Sequence, residues 1–144
     1  MATCEVHKID SEQALHAAYQ VMRELRPHLT DAENFIARVH RQAEQGYCLL
    51  GVWQDQELLA LAGYRISENL IYGRFLYVDD LVTAHHARSH GLGAKLIDAL
   101  REEARCQKCT HLVLDTGLGN ALGQRFYYRQ GLLAAGIHFR QCLV

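Results

Sequence analysis

The hydrophobic positions of this chain switch between a spacing of two residues and a spacing of three to four, and each switch marks an element. "TCEVHKI" alternates well enough for a first strand. Leu15, Ala18, Tyr19, Met22 and Leu25 then recur on one helical face behind Ser11, a residue suited to the N-cap. Pro27, the single proline, ends that helix. A second helix begins at "TDAE", where Thr30 and Glu33 have capping-box spacing. It carries Ala32, Phe35, Ile36, Val39 and Ala43 on one face and stops at Gly46. The period then shortens. "YCLLGVW", "ELLALAGYRI" and "LIYGRFLYVDDLVT" are apolar, aromatic-rich runs separated by the polar turns "QDQ" and "SEN", which predicts an antiparallel meander of three strands. Leu92, Leu96, Leu100 and Ala104 return to helical spacing. The strand "THLVLD", a short helix from about Asn120 to Gln130 ending at Gly131, and a terminal strand in "LLAAGIHFRQCLV" follow. The predicted order is β-α-α-β-β-β-α-β-α-β, an α/β (α+β) chain.

Composition narrows the class. With 144 residues and a formal charge of −1, the chain is expected to fold as one domain, residues 1–144, with no bias toward nucleic acid. No apolar stretch approaches the roughly 20 residues that span a bilayer, and "MATCEVHKID" lacks the apolar run of a secretory signal, so a cytoplasmic protein is expected. Cys4, Cys48, Cys106, Cys109 and Cys142 are odd in number and scattered, which argues for reduced thiols over a disulfide scaffold.

The junction "VTAHHARSHGLGAKLIDALREEA" is the strongest candidate for chemistry. A strand ending near Thr83 feeds a helix starting near Gly91, and the first N–H groups of that helix have no intrahelical acceptor. Such an end favours an anion. Gly91 and Gly93 let a phosphate approach the backbone, and Arg88 and Ser89 can add donors. The spelling excludes a Walker loop, because Lys95 follows Ala94 and precedes Leu96, and a dinucleotide fingerprint, whose third glycine would fall on Leu96. A plain strand-to-helix turn is the alternative on the loop alone.

"RSHGLG" (Arg88 to Gly93), opening an amphipathic helix after a long strand, resembles the Arg/Gln-x-x-Gly-x-Gly/Ala acetyl-CoA pyrophosphate motif of the GNAT superfamily of N-acetyltransferases. "NALGQRFYYRQGL" is similar to that family's second characteristic stretch, with Asn120, Gly123, Tyr127 and Gly131 at its intervals. The resemblance implies a GNAT fold, a mixed and mostly antiparallel central sheet flanked by helices, and acetyl-CoA as cosubstrate with no metal. It places the pyrophosphate on Arg88, Ser89, His90, Gly91, Leu92, Gly93 and Ala94, the pantetheine arm on the main chain of Leu81, Val82 and Thr83, and Asn120 toward that arm. It also implies that "LYVDDLVT" splays from "HLVLDTG" to admit the arm. Ser89 and His90 stand where many relatives carry glycine and a basic residue, yet both motif glycines are intact.

Amide formation needs a base to deprotonate the amine, whose pKa lies near 10, and an acid for the leaving thiolate. "FLYVDDLVT" sets Asp79 and Asp80 in an apolar run where an unpaired buried carboxylate is costly. Period-two alternation sends them to opposite faces, leaving open which one faces the cleft. Counted back from the glycine loop, the segment is similar to that of spermidine/spermine-type acetyltransferases, and the catalytic acid of that pattern falls on Asp79, the base expected here, acting through water. The alternative is a salt bridge from Asp79 to Arg74 or another basic residue. The tyrosine four residues before Gly131, Tyr127, is the expected acid, while Phe126 reads as core.

The resemblance draws the acceptor pocket from the first two helices and central strands, including Tyr19, Arg23, Arg26, His28, Tyr64 and Tyr72. That mixture is aromatic and basic rather than acidic, so a polyamine does not follow. The resemblance implies a small-molecule or peptide amine as acceptor, and a homodimer, through the C-terminal strand, is expected by family habit. Two rivals belong to other classes: a non-catalytic acyl-CoA sensor or partner-binding domain, and a Cys/His metal or redox protein built on His85, His86 and His90 or on the lone "CQKC".

Overall fold

The computed structural model describes residues 3–144, and the elements follow the predicted order through the last helix. Strand β1 (Cys4–Lys8) leads to α1 (Glu12–Leu25), capped by Ser11, whose Oγ accepts the Ala14 N–H at 3.1 Å. The helix stops short of Pro27, with the Arg26 N–H returning to the Met22 carbonyl at 2.8 Å. Helix α2 (Ala32–Ala43) is capped one residue later than expected. Asp31, not Thr30, accepts the Glu33 N–H at 3.0 Å, and a carboxylate there also complements the helix dipole.

Strands β2 (Cys48–Gln54), β3 (Glu57–Asn69) and β4 (Gly73–Thr83) form the expected antiparallel meander. The second turn is displaced: β3 runs through "SEN", and the reversal falls on residues 70–72. Asn69 fixes it there, its Oδ1 accepting the N–H groups of Ile71 and Tyr72 at 3.1 and 2.7 Å, a side-chain turn that outweighs the apolar character of the residues it reverses. A short 3-10 turn (His85–Ala87) leads into α3 (Leu92–Cys106), and β5 (His111–Leu114) follows.

The sheet order is β1-β2-β3-β4-β5. Leu15 of α1, Leu61 of β3, Leu76 of β4 and Leu96, Ile97 and Leu100 of α3 are fully buried, so the core lies along the two central strands. Residues through Val113 form one compact unit. A second runs from Leu114 to Val144 and holds α4 (Ala121–Arg129).

The terminal strand expected in residues 132–144 is not formed. Leu133, Ile137, Phe139, Leu143 and Val144 are exposed in irregular chain. Alternation marks the face a strand would bury, but a strand exists only where a neighbour accepts its backbone bonds.

Candidate active site

The central feature is a β-bulge. Tyr64 pairs with Val78 and Gly63 with Asp80, so β4 carries one residue, Asp79, with no partner on β3. The expectation that Asp79 and Asp80 face opposite sides is therefore overturned. Paired residues share a face, so Val78 and Asp80 point oppositely, and the extra residue lets Asp79 join Asp80. Both carboxylates line one cavity of about 200 Å3, with Arg26, His28, Arg38, Gln42 and Tyr47 among its walls.

The two acids are held differently. Asp80 is saturated: Oδ1 accepts from Arg26 Nε and Nη2 at 3.0 and 2.9 Å, and Oδ2 accepts the Tyr47 hydroxyl at 2.6 Å. Asp79 is not. Its Oδ2 accepts from Arg65 Nε at 3.0 Å, and its Oδ1 takes no hydrogen bond among the described residues. The anticipated ion pair exists, but with Arg65. Arg74, the partner named from sequence, donates to the Gln107 carbonyl at 2.6 Å. Arg65 is braced by Gln42 Oε1 at 2.6 Å and lies 5.3 Å from the centre of the Tyr47 ring. Burial raises the Asp79 carboxyl above its ordinary 3.8, against the opposing pull of Arg65.

Tyr47, Arg65, Gln42 and Arg38 were not singled out from sequence. Nothing local marks them, because their meeting depends on the sheet register. Tyr47 reaches Asp80 by lying over Gly63, where an added Cβ would collide with its hydroxyl and ring. Burial, and next the Asp80 charge, hold its phenol protonated as a donor. Gly63→Ala is expected to cost about 1–3 kcal/mol by overpacking. Urea unfolding reads this as a lower midpoint at unchanged slope.

The loop after β4 has the anticipated geometry. Ser89 and Gly91 have positive φ, 68° and 75°, and Gly91 caps α3 without a side-chain bond, leaving the N–H groups of Leu92, Gly93 and Ala94 to the loop. A Cβ on Gly91 would meet nothing within 4 Å, so the space an approaching phosphate needs is open. His90 is exposed at the same turn. Arg88 Nε donates to the Thr83 carbonyl at 3.3 Å, and its Nη2 lies 3.9 Å from Glu24, whose Oε1 also accepts the His85 N–H at 2.9 Å. Thus α1 braces the loop. Leu81, Val82 and Thr83 pair with Ala62, Leu61 and Ala60 on β3. Antiparallel pairing turns alternate residues' backbone groups away from the partner strand, so this end of β4 also presents main-chain groups to its other side. There β5 has four residues against eleven in β4 and starts beside Arg74, whose carbonyl accepts the Thr110 N–H at 2.9 Å.

In the second unit, Asn120 caps α4, its Oδ1 accepting the Gly123 N–H at 3.0 Å while its amide donates to Thr116 at 3.0 Å. Tyr127 lies in α4 against Phe126, ring centres 5.3 Å apart, and burial raises its phenol above the ordinary 10.0. Among the residues expected in the acceptor pocket, Arg26 and His28 line the cavity. Tyr19 donates to the Leu29 carbonyl at 3.2 Å, Tyr64 is buried beside Cys48 and under the influence of Glu103 of α3, and Tyr72 stacks near Phe75 and His111. Arg23 is exposed on α1. Among the described residues, no group of His, Cys, Asp and Glu side chains could hold a metal ion, all five cysteines are free thiols, and no helix is long and apolar enough to cross a membrane.

Residues 10–132 match the acetyltransferase (GNAT) family. The chain is 29% identical over 121 residues to an uncharacterized N-acetyltransferase, YhdJ, of Bacillus subtilis, covering 83% of this chain and 84% of that one. It is 26% identical over 128 residues to the aminoglycoside N(6')-acetyltransferase type 1 of Serratia marcescens, covering 89% and 87%. Its fold is shared by AAC(6')-Iy in complex with a bisubstrate analogue, CoA-S-monomethyl-acetylneamine, with a TM-score of 0.84, 14% identity and coverage of 98% and 99%. The match over most of its length shows that the chain belongs to the acetyltransferase (GNAT) family and is an acyltransferase.

Proposed function

We propose that this protein transfers the acetyl group of acetyl-CoA to a primary amine of a small molecule or peptide by direct attack in a ternary complex. One observation carries the reading: the bulge turns Asp79 into the cavity with an open Oδ1, four residues before the strand end that leads to the phosphate-type loop. Asp79, through a water molecule, takes the proton of the ammonium group. The amine nitrogen then bonds to the acetyl carbon as the carbon–sulfur bond breaks, the Tyr127 phenol protonates the departing thiolate, and the second nitrogen proton, passed through water, restores that phenol and leaves a neutral amide. The pyrophosphate rests on residues 88–94 and the pantetheine arm on the main chain of residues 81–83, whose N–H groups can polarise the thioester oxygen. Asn120 supports the arm.

The family match crosses the boundary between the two units, which supports reading residues 1–144 as one acetyltransferase domain. The free cysteines fit a reducing, cytoplasmic setting. A homodimer in which residues 132–144 pair with a second copy belongs to the same reading, since that segment is exposed, apolar and alternating.

Calorimetric titration with acetyl-CoA, followed by an amine screen for thiol release, tests the proposal. Saturable binding with amine-dependent release is expected, and binding without release under any amine would sink the catalytic part. Tyr127→Phe should lower kcat about 10-fold to 100-fold while leaving the dissociation constant for acetyl-CoA unchanged. The effect sits at or below the low end for general acids because a thiolate is already a fair leaving group.

A further inference from the structure

The cavity has an acidic floor that is already neutralised and a basic wall that is not. Asp80 is committed to Arg26 and Tyr47, and Asp79 to Arg65. Arg38 of α2 and His28, from the connection between α1 and α2, line the same cavity and make no hydrogen bond or ion pair among the described residues. Arg26 and Arg38 line the cavity and Arg65, not itself a lining residue, pairs with Asp79, so three guanidinium groups stand against two carboxylates, with the surplus on the exposed Arg38. A polycationic acceptor would find only the open Oδ1 of Asp79 free of Arg26 and Arg65 for its several charges, and it would meet Arg38 as a like charge. An amine that carries its own anion finds the complementary arrangement. Its nitrogen approaches the open Oδ1 of Asp79, and its anionic group meets the planar, always charged fork of Arg38, which suits carboxylate and phosphate alike.

The geometry points to a small amine bearing a carboxylate or phosphate as the acceptor, with Arg38, helped by His28, as the residue that selects it. This rests on the acetyl-transfer reading above and differs from what the aminoglycoside-named relatives would suggest.

The test compares thiol release by the 144-residue protein with three groups of amines: amino acids and an amino-sugar phosphate, their uncharged amides and the unphosphorylated amino sugar, and neamine. The anionic members should exceed their neutral counterparts in kcat/KM by about 10-fold or more, the range of one charge-assisted hydrogen bond, with neamine lowest. The carboxylate and phosphate arms report which anion is preferred. Arg38→Glu should remove that ratio through KM. Calorimetric affinity for acetyl-CoA and the thermal midpoint should be unchanged, because Arg38 is exposed and unpaired. Neutral or polycationic amines used equally well, no turnover of any anionic amine, or a ratio unaffected by Arg38→Glu would overturn the proposal. Loss of acetyl-CoA binding in the unsubstituted protein would instead overturn the reading beneath it.

Discussion

Asp79→Asn lowers kcat/KM for the amine by about 100-fold to 10,000-fold at neutral pH, the span of a lost general base, while acetyl-CoA binding persists. The amide is nearly isosteric and can still face Arg65, so the bulge stays in place and only proton acceptance is lost. The pH profile carries a second signature. A base works in its charged form, and desolvation disfavours that form at Asp79, so the acid limb of kcat/KM lies above the ordinary carboxylate value of 3.8. Arg65 opposes the shift, being the cation beside the carboxylate. Arg65→Gln therefore moves the acid limb to still higher pH, and Asp79→Asn abolishes that limb. A limb that stays put in both variants would assign the base elsewhere.

Gly91→Glu should lose measurable acetyl-CoA binding, a weakening of at least about 100-fold, because it sets a carboxylate beside the free N–H groups that open α3. The left-handed φ of 75° adds strain for any side chain, about 1–2 kcal/mol. Gly91→Ala separates the two effects: it carries the same strain without the charge, and open space within 4 Å receives its methyl group. Calorimetry should find Gly91→Ala binding and Gly91→Glu silent, with similar thermal midpoints for both. Equal loss in both would mean that backbone geometry, not charge, governs the loop.

The parts of the fold that depend on neighbours in sequence were legible in it. Ser11 caps α1, Gly46 follows α2, the meander forms, and the β4 strand ends at Thr83 as its pattern requires. Where two local choices compete, the pattern alone does not decide between them, as with Thr30 against Asp31 or the polar "SEN" against the Asn69 turn. The site itself was half legible. Asp79 and Asp80 stood out as charges in an apolar run, but alternation put them on opposite faces because no local pattern marks a bulge. Tyr47 and Arg65 lie 33 and 14 residues from the acids they bind, so only the pairing register brings each to its partner. Residues 132–144 alternate as a strand does, but no neighbouring strand accepts their backbone bonds.

The bulge makes the site a matter of counting. Replacing a side chain at Asp79 or Asp80 changes chemistry at a fixed address. Deleting one residue from β4 beside Gly63 would restore regular pairing and send consecutive side chains to opposite faces. The β4 segment therefore tolerates no change in length opposite Gly63, and a graft of this strand onto another sheet would need its extra residue along with its acids.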